Sequence, residues 1–283
     1  MKSILLLLML IPVFAISQTI QPKTPDEVVE QIKKHVTCDW LSETVDVYKA
    51  GDPQTPLKGI AVCMFADMPT LEKAVAQGCN FIITHEPIFY SHLDGTESLQ
   101  NDPVFRQKMD YIEKNKLVVF RFHDHIHMTQ PDGIYAGMIE QLGLAPYSVD
   151  GSLTIFQLPK QTIKEYSETL KKQLGIATVR VIGDPGMEFT KMGLAVGAPG
   201  GQSHIQMLER NDVEVMVAGE ATEWETYSYV NDARYQGKKK AVIFIGHIKS
   251  EEAGMKYCAK WLQGFISGVP IHFIEDGANF STL

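Results

Sequence analysis

The sequence predicts an α/β fold made of duplicated strand-helix-strand units, forming two similar lobes with mixed, largely parallel sheets. Three observations carry this. Short apolar runs alternate with segments of helical spacing along most of the chain, a pattern that places parallel strands under covering helices. The unit GIAVCMFAD, helix, CNFIITHEP (59–87) returns in the same order as MGLAVGAPG, helix, VEVMVAGEA (192–221). That ordered similarity indicates an internal duplication rather than a solenoid repeat. Several strands also end in histidine or glutamate, and the carboxyl ends of strands are where open α/β sheets form their sites.

The elements follow in order. Thr24-Pro25-Asp26-Glu27 opens a helix running to about His35, with Thr24 as cap, Pro25 in the first turn and Glu27 at the capping-box position. Gly59 to Ala66 is a buried strand, Met68 to Gln77 a helix stopped at Gly78, and Cys79 to Thr84 a second strand. A helix over Val104 to Asn115 leads into the strand Leu117 to Phe122, and Gly133 to Leu144 is helical again. The second half repeats the alternation. TIFQL is a strand, Thr162 to Leu174 a helix and ATVRVIG a strand, closed by the turn Gly183-Asp184-Pro185-Gly186. The strand MGLAV, helix SHIQMLERN and strand VEVMVAGE follow. Thr222 to Gln236 is then a helix, KAVIFIGH a strand, Ser250 to Leu262 a helix and VPIHFIED a last strand. We expect a single duplicated domain over 18–283, with lobes at 24–150 plus the C-terminal segment and at 151–240.

The chain has 283 residues, 45% hydrophobic and 21% charged, as an ordinary globular protein does. Its net charge of −8 argues against a nucleic-acid partner, which needs a basic face. MKSILLLLMLIPVFAISQ has one positive charge, an apolar run from Ile4 to Ile16 and small residues at Ala15 and Ser17. That layout reads as a signal peptide over 1–17 and an exported protein, periplasmic or secreted. The run is too short for a stable membrane anchor. The four cysteines form no CxxC pair, so no thiolate zinc site is indicated, and no disulfide is expected. The glycine-rich GAPGGQ (197–202) lacks the GK[ST] of a phosphate loop and reads as a tight strand-to-helix turn rather than an anion site.

The chemistry gathers in three stretches, each after an apolar strand: THEP (84–87), HDHIH (123–127) and GHIKSE (246–251). Histidine with carboxylate is the ligand set of zinc, iron or manganese sites. In GHIKSE, His247 ends a strand and Ser250 is placed to cap the next helix, so Glu251 can point into the same crevice. His85 and Glu86 are neighbours, which reach one crevice only if the chain turns, as Pro87 favours. In HDHIH, His123, His125 and His127 share a face if the strand continues; if the chain turns, only one or two reach the site. A capping serine, a buried histidine and a histidine-rich surface loop are the bland readings of each stretch alone. Taken together, they point to a two-metal hydrolytic centre that activates water on a small-molecule substrate. A metal-binding or interaction scaffold without enzymatic activity is the alternative.

At these motifs the chain resembles the NGG-interacting factor three-like family, also known in bacteria as GTP cyclohydrolase I type 2. That family carries THHP, HTNLD and GHxxTE where this chain has THEP, HDHIH and GHIKSE. The resemblance covers about Val45 to Asp276. It implies a duplicated α/β fold, assembly into a homo-oligomer (a ring-shaped hexamer) and two divalent transition-metal ions. Carried over, the ligands fall on His85, Glu86, His127, His247 and Glu251. Two depart from the pattern: Glu86 replaces a histidine and His127 an aspartate, so one imidazole and one carboxylate have traded places. His123 matches the leading histidine of HTNLD and is expected beside the metals rather than on them. Asp124 and His125 are left without an assigned role.

Overall fold

The computed structural model describes residues 19–277. The expected signal peptide lies outside the described residues. Among these, no helix is long and apolar enough to cross a membrane.

The first half runs α1 (Pro25–His35), β1 (Tyr48–Ala50), β2 (Ile60–Cys63), α2 (Met68–Ala76), β3 (Phe81–Thr84), α3 (Pro103–Lys114), β4 (Val118–Arg121), α4 (Asp124–Met128) and α5 (Gly133–Leu142). The second runs β5 (Ile155–Thr162), α6 (Ile163–Leu174), β6 (Arg180–Ile182), β7 (Glu188–Ala195), α7 (Gly201–Leu208), β8 (Val215–Ala218), α8 (Ser228–Tyr235) and β9 (Ala241–Phe244). The long helix α9 (His247–Gln263) and β10 (Ile271–Phe273) follow.

Among the described residues the strands form two five-stranded sheets, ordered β1-β4-β3-β2-β10 and β5-β7-β8-β9-β6. In the first, β10, β2, β3 and β4 are parallel and β1 is an antiparallel edge. In the second, β7, β8 and β9 are parallel between antiparallel β5 and β6. Each sheet therefore has a parallel centre of the duplicated unit, and the fold class is mixed α/β with two similar lobes. β9 belongs to the second sheet, which continues past the expected boundary at residue 240, while β10 returns to the first.

Period-two alternation explains why the strands read as continuous apolar runs. Ile60, Val62, Phe81, Ile83, Val118 and Phe120 face an inner core, whereas Ala61, Cys63, Ile82 and Val119 face α2 and α3. In the other lobe Val215, Val217 and Ile243 face the same inner core, and Met216, Ala218 and Val242 face α7 and α8. The inner core also takes the buried faces of α1, α5, α6 and α9, so both lobes share one apolar interior. Each fully buried aliphatic or aromatic side chain there contributes roughly 1.5–3 kcal/mol. That shared interior is what fixes the strand ends of one lobe against the other.

Helices α5 and α9 approach closely. A Cβ at Gly137 would lie 2.3 Å from the carbonyl oxygen of Ala253, and one at Gly254 would lie 2.4 Å from Ile134 Cα. Only bare backbone lets these helices cross at this distance. The crossing matters because α5 follows the histidine-bearing α4, and α9 carries His247 and Glu251.

One open alternative is decided and two local expectations change. HDHIH does not continue as a strand but turns into α4. The last long helix begins at His247, with Gly246 as its N-cap at φ +88°, so Ser250 is not the cap. The segment expected as one helix over 222–236 opens with a π-helical turn, Glu223–Tyr227, before α8.

Candidate metal centre

The ends of β3 and β4 meet the first turn of α9 between the lobes. After β3, the backbone N–H groups of His85 and Glu86 donate to the carbonyls of Cys63 and Met64, at 3.2 and 2.9 Å, and the chain then bends. The fully buried Arg121, the last residue of β4, braces that bend. Its Nε donates to the His85 carbonyl at 3.0 Å, its Nη1 to the His92 carbonyl, and Nη2 lies 3.7 Å from Glu86 Oε2. Two adjacent residues therefore reach one crevice, as Pro87 suggested.

The turn into α4 sorts the three histidines. His123 and His127 are four residues apart and face the crevice, with ring centroids 5.3 Å from each other and 4.6 and 5.2 Å from His85. His125 points the opposite way. It is buried, its Nδ1 donates to Asp46 at 2.7 Å, its Nε2 accepts from the Leu41 N–H at 2.9 Å, and Trp40 stacks on it at 3.7 Å. Both ring nitrogens are used, so His125 is a structural residue.

The crevice histidines share a different pattern. His85 Nδ1 donates to the Phe122 carbonyl at 3.3 Å, and the Nδ1 of His123 and His127 meet Asp124 and Asp132 at 2.9 and 3.0 Å. A carbonyl or carboxylate partner on Nδ1 fixes the tautomer and leaves the Nε2 lone pair for a metal, as it does in histidine metal sites. His85 Nε2 is buried without a hydrogen-bond partner. A lone buried nitrogen of this kind calls for a ligand. Burial, helped by the neighbouring His123 and His127, pushes the His85 imidazolium pKa well down and keeps the ring neutral.

The carboxylates come from β3 and α9. Glu251 is buried, with Oε2 3.1 Å from His247 Nε2 and 3.6 Å from His85 Nε2, and Oε1 3.8 Å from His127 Nε2. Glu86 Oε1 lies 3.1 Å from the same His247 nitrogen. Burial disfavours charge on His247, but the hydrogen bonds it donates to Glu251 and Glu86 outweigh it and push its pKa up to about 10. Burial likewise works against ionised Glu86, and His247 overcomes it, holding that carboxyl below its usual range. His127 is raised in the same manner, burial being outweighed by Asp132 and then Glu251 and Glu86.

Among the described residues, two groups of side chains have ligand atoms within 4.8 Å of one another: His85, His123 and His127; and His85, Glu86 and Glu251. They share His85. The donor set of imidazoles and carboxylates fits divalent zinc, iron or manganese, which would displace the protons that His127 and His247 hold without it. All five residues singled out from sequence, His85, Glu86, His127, His247 and Glu251, converge here. His123, expected beside the metals, instead stands among the possible ligands, because a helical turn puts it on the same face as His127.

Residues the sequence reading missed complete the surround. Asp132 caps α5 through Oδ1, accepting from the Ile134 N–H at 2.8 Å, while Oδ2 takes His127. The Asp-Gly step before an apolar helix could have revealed the cap, though not the histidine. Glu220 Oε1 lies 3.3 Å from His247 Nδ1, and its alignment with Glu86 in the repeat was the available hint. The glycine-rich turn is a neighbour of the site rather than an anion loop. The Gly201 N–H at the start of α7 donates to Glu225 Oε2 at 3.2 Å, and a Cβ at Gly197 would lie 2.3 Å from Glu251 Oε1.

Comparison with known proteins bears on the lineage and the fold. Residues 25–279 match the family model described as Duf34/NIF3 (NGG1p interacting factor 3). A Clostridium acetobutylicum protein called GTP cyclohydrolase 1 type 2 homolog is 24% identical over 233 residues, covering 78% of this chain and 82% of the relative. A Buchnera aphidicola protein of the same name is 21% identical over 241 residues, covering 82% and 90%. Among solved structures, a Staphylococcus aureus hypothetical protein superposes with a TM-score of 0.75 at 15% identity, over 93% of this chain and all of that one (100%). A Bacillus cereus protein related to NIF3 gives a TM-score of 0.72 at 14% identity, over 92% and 99%. These structural likenesses establish the fold, and the match over nearly the whole length establishes the lineage: the chain belongs to the Duf34/NIF3 (NGG1p interacting factor 3) family.

Proposed function

We propose that the chain holds two divalent transition-metal ions (zinc, iron or manganese) between its lobes and is a metal-dependent hydrolase of a small molecule. The observation that carries this reading is the position of Glu251. Its two carboxylate oxygens face histidines from different elements, His127 on one side and His85 and His247 on the other. A carboxylate so placed can serve two ions at once. The ligand set is His85, Glu86, His127, His247 and Glu251, with His123 completing the histidine side.

Bound metals supply an activated water and polarise a substrate oxygen. The chain's own groups do the rest. Asp132, Asp124 and the Phe122 carbonyl hold the imidazoles in one tautomer. Arg121 fixes the His85-Glu86 bend. His123, His127 and His247 are each only partly exposed, so the crevice opens to solvent on their side.

The name borne by the relatives makes ring-opening hydrolysis of a purine nucleotide one reaction to include in a screen. The reading extends to export of the protein, supported by the apolar run at residues 4–16, and to self-association into a hexamer, supported by the family resemblance. Cell fractionation and light scattering test these two points.

Elemental analysis of purified protein should find two ions per chain, and Glu251→Ala and His247→Ala should each lower that number. Full metal content in both variants contradicts the site. Failure of the loaded protein to hydrolyse any phosphoester, amide or cyclic amidine in a broad panel, with Glu251→Ala only lowering Tm, contradicts the enzyme and leaves a metal-binding scaffold.

A further inference from the structure

The histidine side of the crevice is held by a residue 77 positions away from His123 in sequence. Asp46 is buried just before β1, and both of its oxygens are committed to α4. Oδ1 accepts the N–H of His123 at 2.6 Å and of Asp124 at 2.9 Å. Oδ2 accepts the N–H of His125 at 2.9 Å and the His125 Nδ1–H at 2.7 Å. α4 is only five residues long. A helix this short is marginal by itself, and its opening N–H groups have no partners within it. Its own first residues supply no cap, since the side chain of His123 makes no capping bond.

The rest of the segment between α1 and β1 reinforces this hold. The Thr44 hydroxyl donates to Asp124 Oδ2 at 2.7 Å and the Val45 N–H to the same oxygen at 3.2 Å, leaving Asp124 Oδ1 for His123. Trp40 and the Leu41 N–H engage His125. The segment therefore grips the outward side of α4 and turns its other side, with His123 and His127, toward His85.

We propose that Asp46 is a positioning residue for the metal centre: it sets the helical turn that brings His123 and His127 together, and so governs the ion on the histidine side without touching it. The Glu86 and Glu251 side is built on β3 and α9 and does not depend on Asp46. This inference rests on the two-ion reading above, and it predicts an asymmetry that the reading alone does not.

The test uses the full-length chain stripped of metal and titrated calorimetrically with zinc. Wild type should take two ions. Asp46→Asn should bind one of them at least about tenfold more weakly, the scale expected when a support of a ligand histidine is lost, and keep the other. Trp40→Ala removes the stack on His125 from the same segment while leaving Asp46 in place, and serves as the stability control. Equal zinc affinities in Asp46→Asn and wild type overturn the inference and leave the two-ion reading standing. So does a loss no larger than that of Trp40→Ala at a similar Tm. A metal-free readout separates the two ideas further. Amide hydrogen exchange at His123, Asp124 and His125 should be slow in wild type and fast in Asp46→Asn; the same rates in both overturn the inference whatever the titration gives.

Discussion

The two lobes repeat one architecture and use it in opposite ways. In the first, β3 and β4 run directly into His85, Glu86 and His123, so the strand ends supply the side chains. In the second, β7 and β8, the counterparts of β2 and β3, instead place Gly197 and Gly219 at the crevice, with Glu220 beside His247 Nδ1, while β9 leads into His247. A Cβ on Gly219 would lie 2.3 Å from the Gly197 carbonyl oxygen and 2.5 Å from Ser250 Oγ, and one on Gly197 would strike Glu251. Bare backbone there lets the first turn of α9 descend until Glu251 reaches His85. At the matching ends of β3 and β8 one copy of the duplicated unit has kept ligands and the other has kept room, and a centre between them needs both.

The largest effect on this division should come from Glu251→Ala. It removes the group that faces both sides, so bound metal should fall from two ions per chain to below one. Gly197→Ala comes next. Gly197 sits at φ +64°, where an L side chain costs about 1–2 kcal/mol, and the new Cβ also displaces the Glu251 carboxylate. Both Tm and metal content should drop. Gly200→Ala is the matched control. Its φ of +88° and ψ of 159° also favour glycine, at about 1–3 kcal/mol, but no atom lies within 4 Å of the new Cβ. It should lose stability and keep its metal. Equal metal loss in both would show that the glycines act on the fold alone.

A pH effect of intermediate size follows from His247. Its pKa rises from 6.5 to about 10 in the metal-free protein. Folding therefore gains from its proton, fully below about pH 6.5, and the gain is lost as pH rises through 10. The Tm of the metal-free chain should fall between these limits, and His247→Gln should flatten the fall. Metal must displace the same proton, so metal affinity should rise with pH over this range. The smallest effect on the centre should come from His125→Gln. Losing its bond to Asp46 and its stack on Trp40 should cost about 1–3 kcal/mol while metal content stays at the wild-type level.

Much of this comparison was legible in the sequence. Apolar runs ending in THEP and GHIKSE located His85, Glu86, His247 and Glu251, because buried parallel strands leave polar residues only where they end. The repeat was legible for the same reason, and its alignment of His85-Glu86 with Gly219-Glu220 already held the contrast between ligand and space. What stayed hidden depended on tertiary contact. His123 was expected beside the metals because it matches the leading histidine of HTNLD, and the turn that puts it on one face with His127 is capped by Asp46, 77 residues away. Asp46 and Asp132 were missed because nothing local distinguishes an aspartate that supports a histidine from one in a turn. β1 was missed because three half-buried residues at an antiparallel edge carry no alternation. GAPGGQ showed a tight turn, but its purpose, clearance for a glutamate 54 residues after Gly197, is a fact of packing.

The most direct test of the central claim is anomalous diffraction from crystals of the metal-loaded protein. The account predicts two peaks between the lobes, one among His85, His123 and His127 and one beside Glu86, His247 and Glu251, with Glu251 in reach of both. A single ion that Glu251 does not touch, or ions bound away from the ends of β3 and β4, would contradict it.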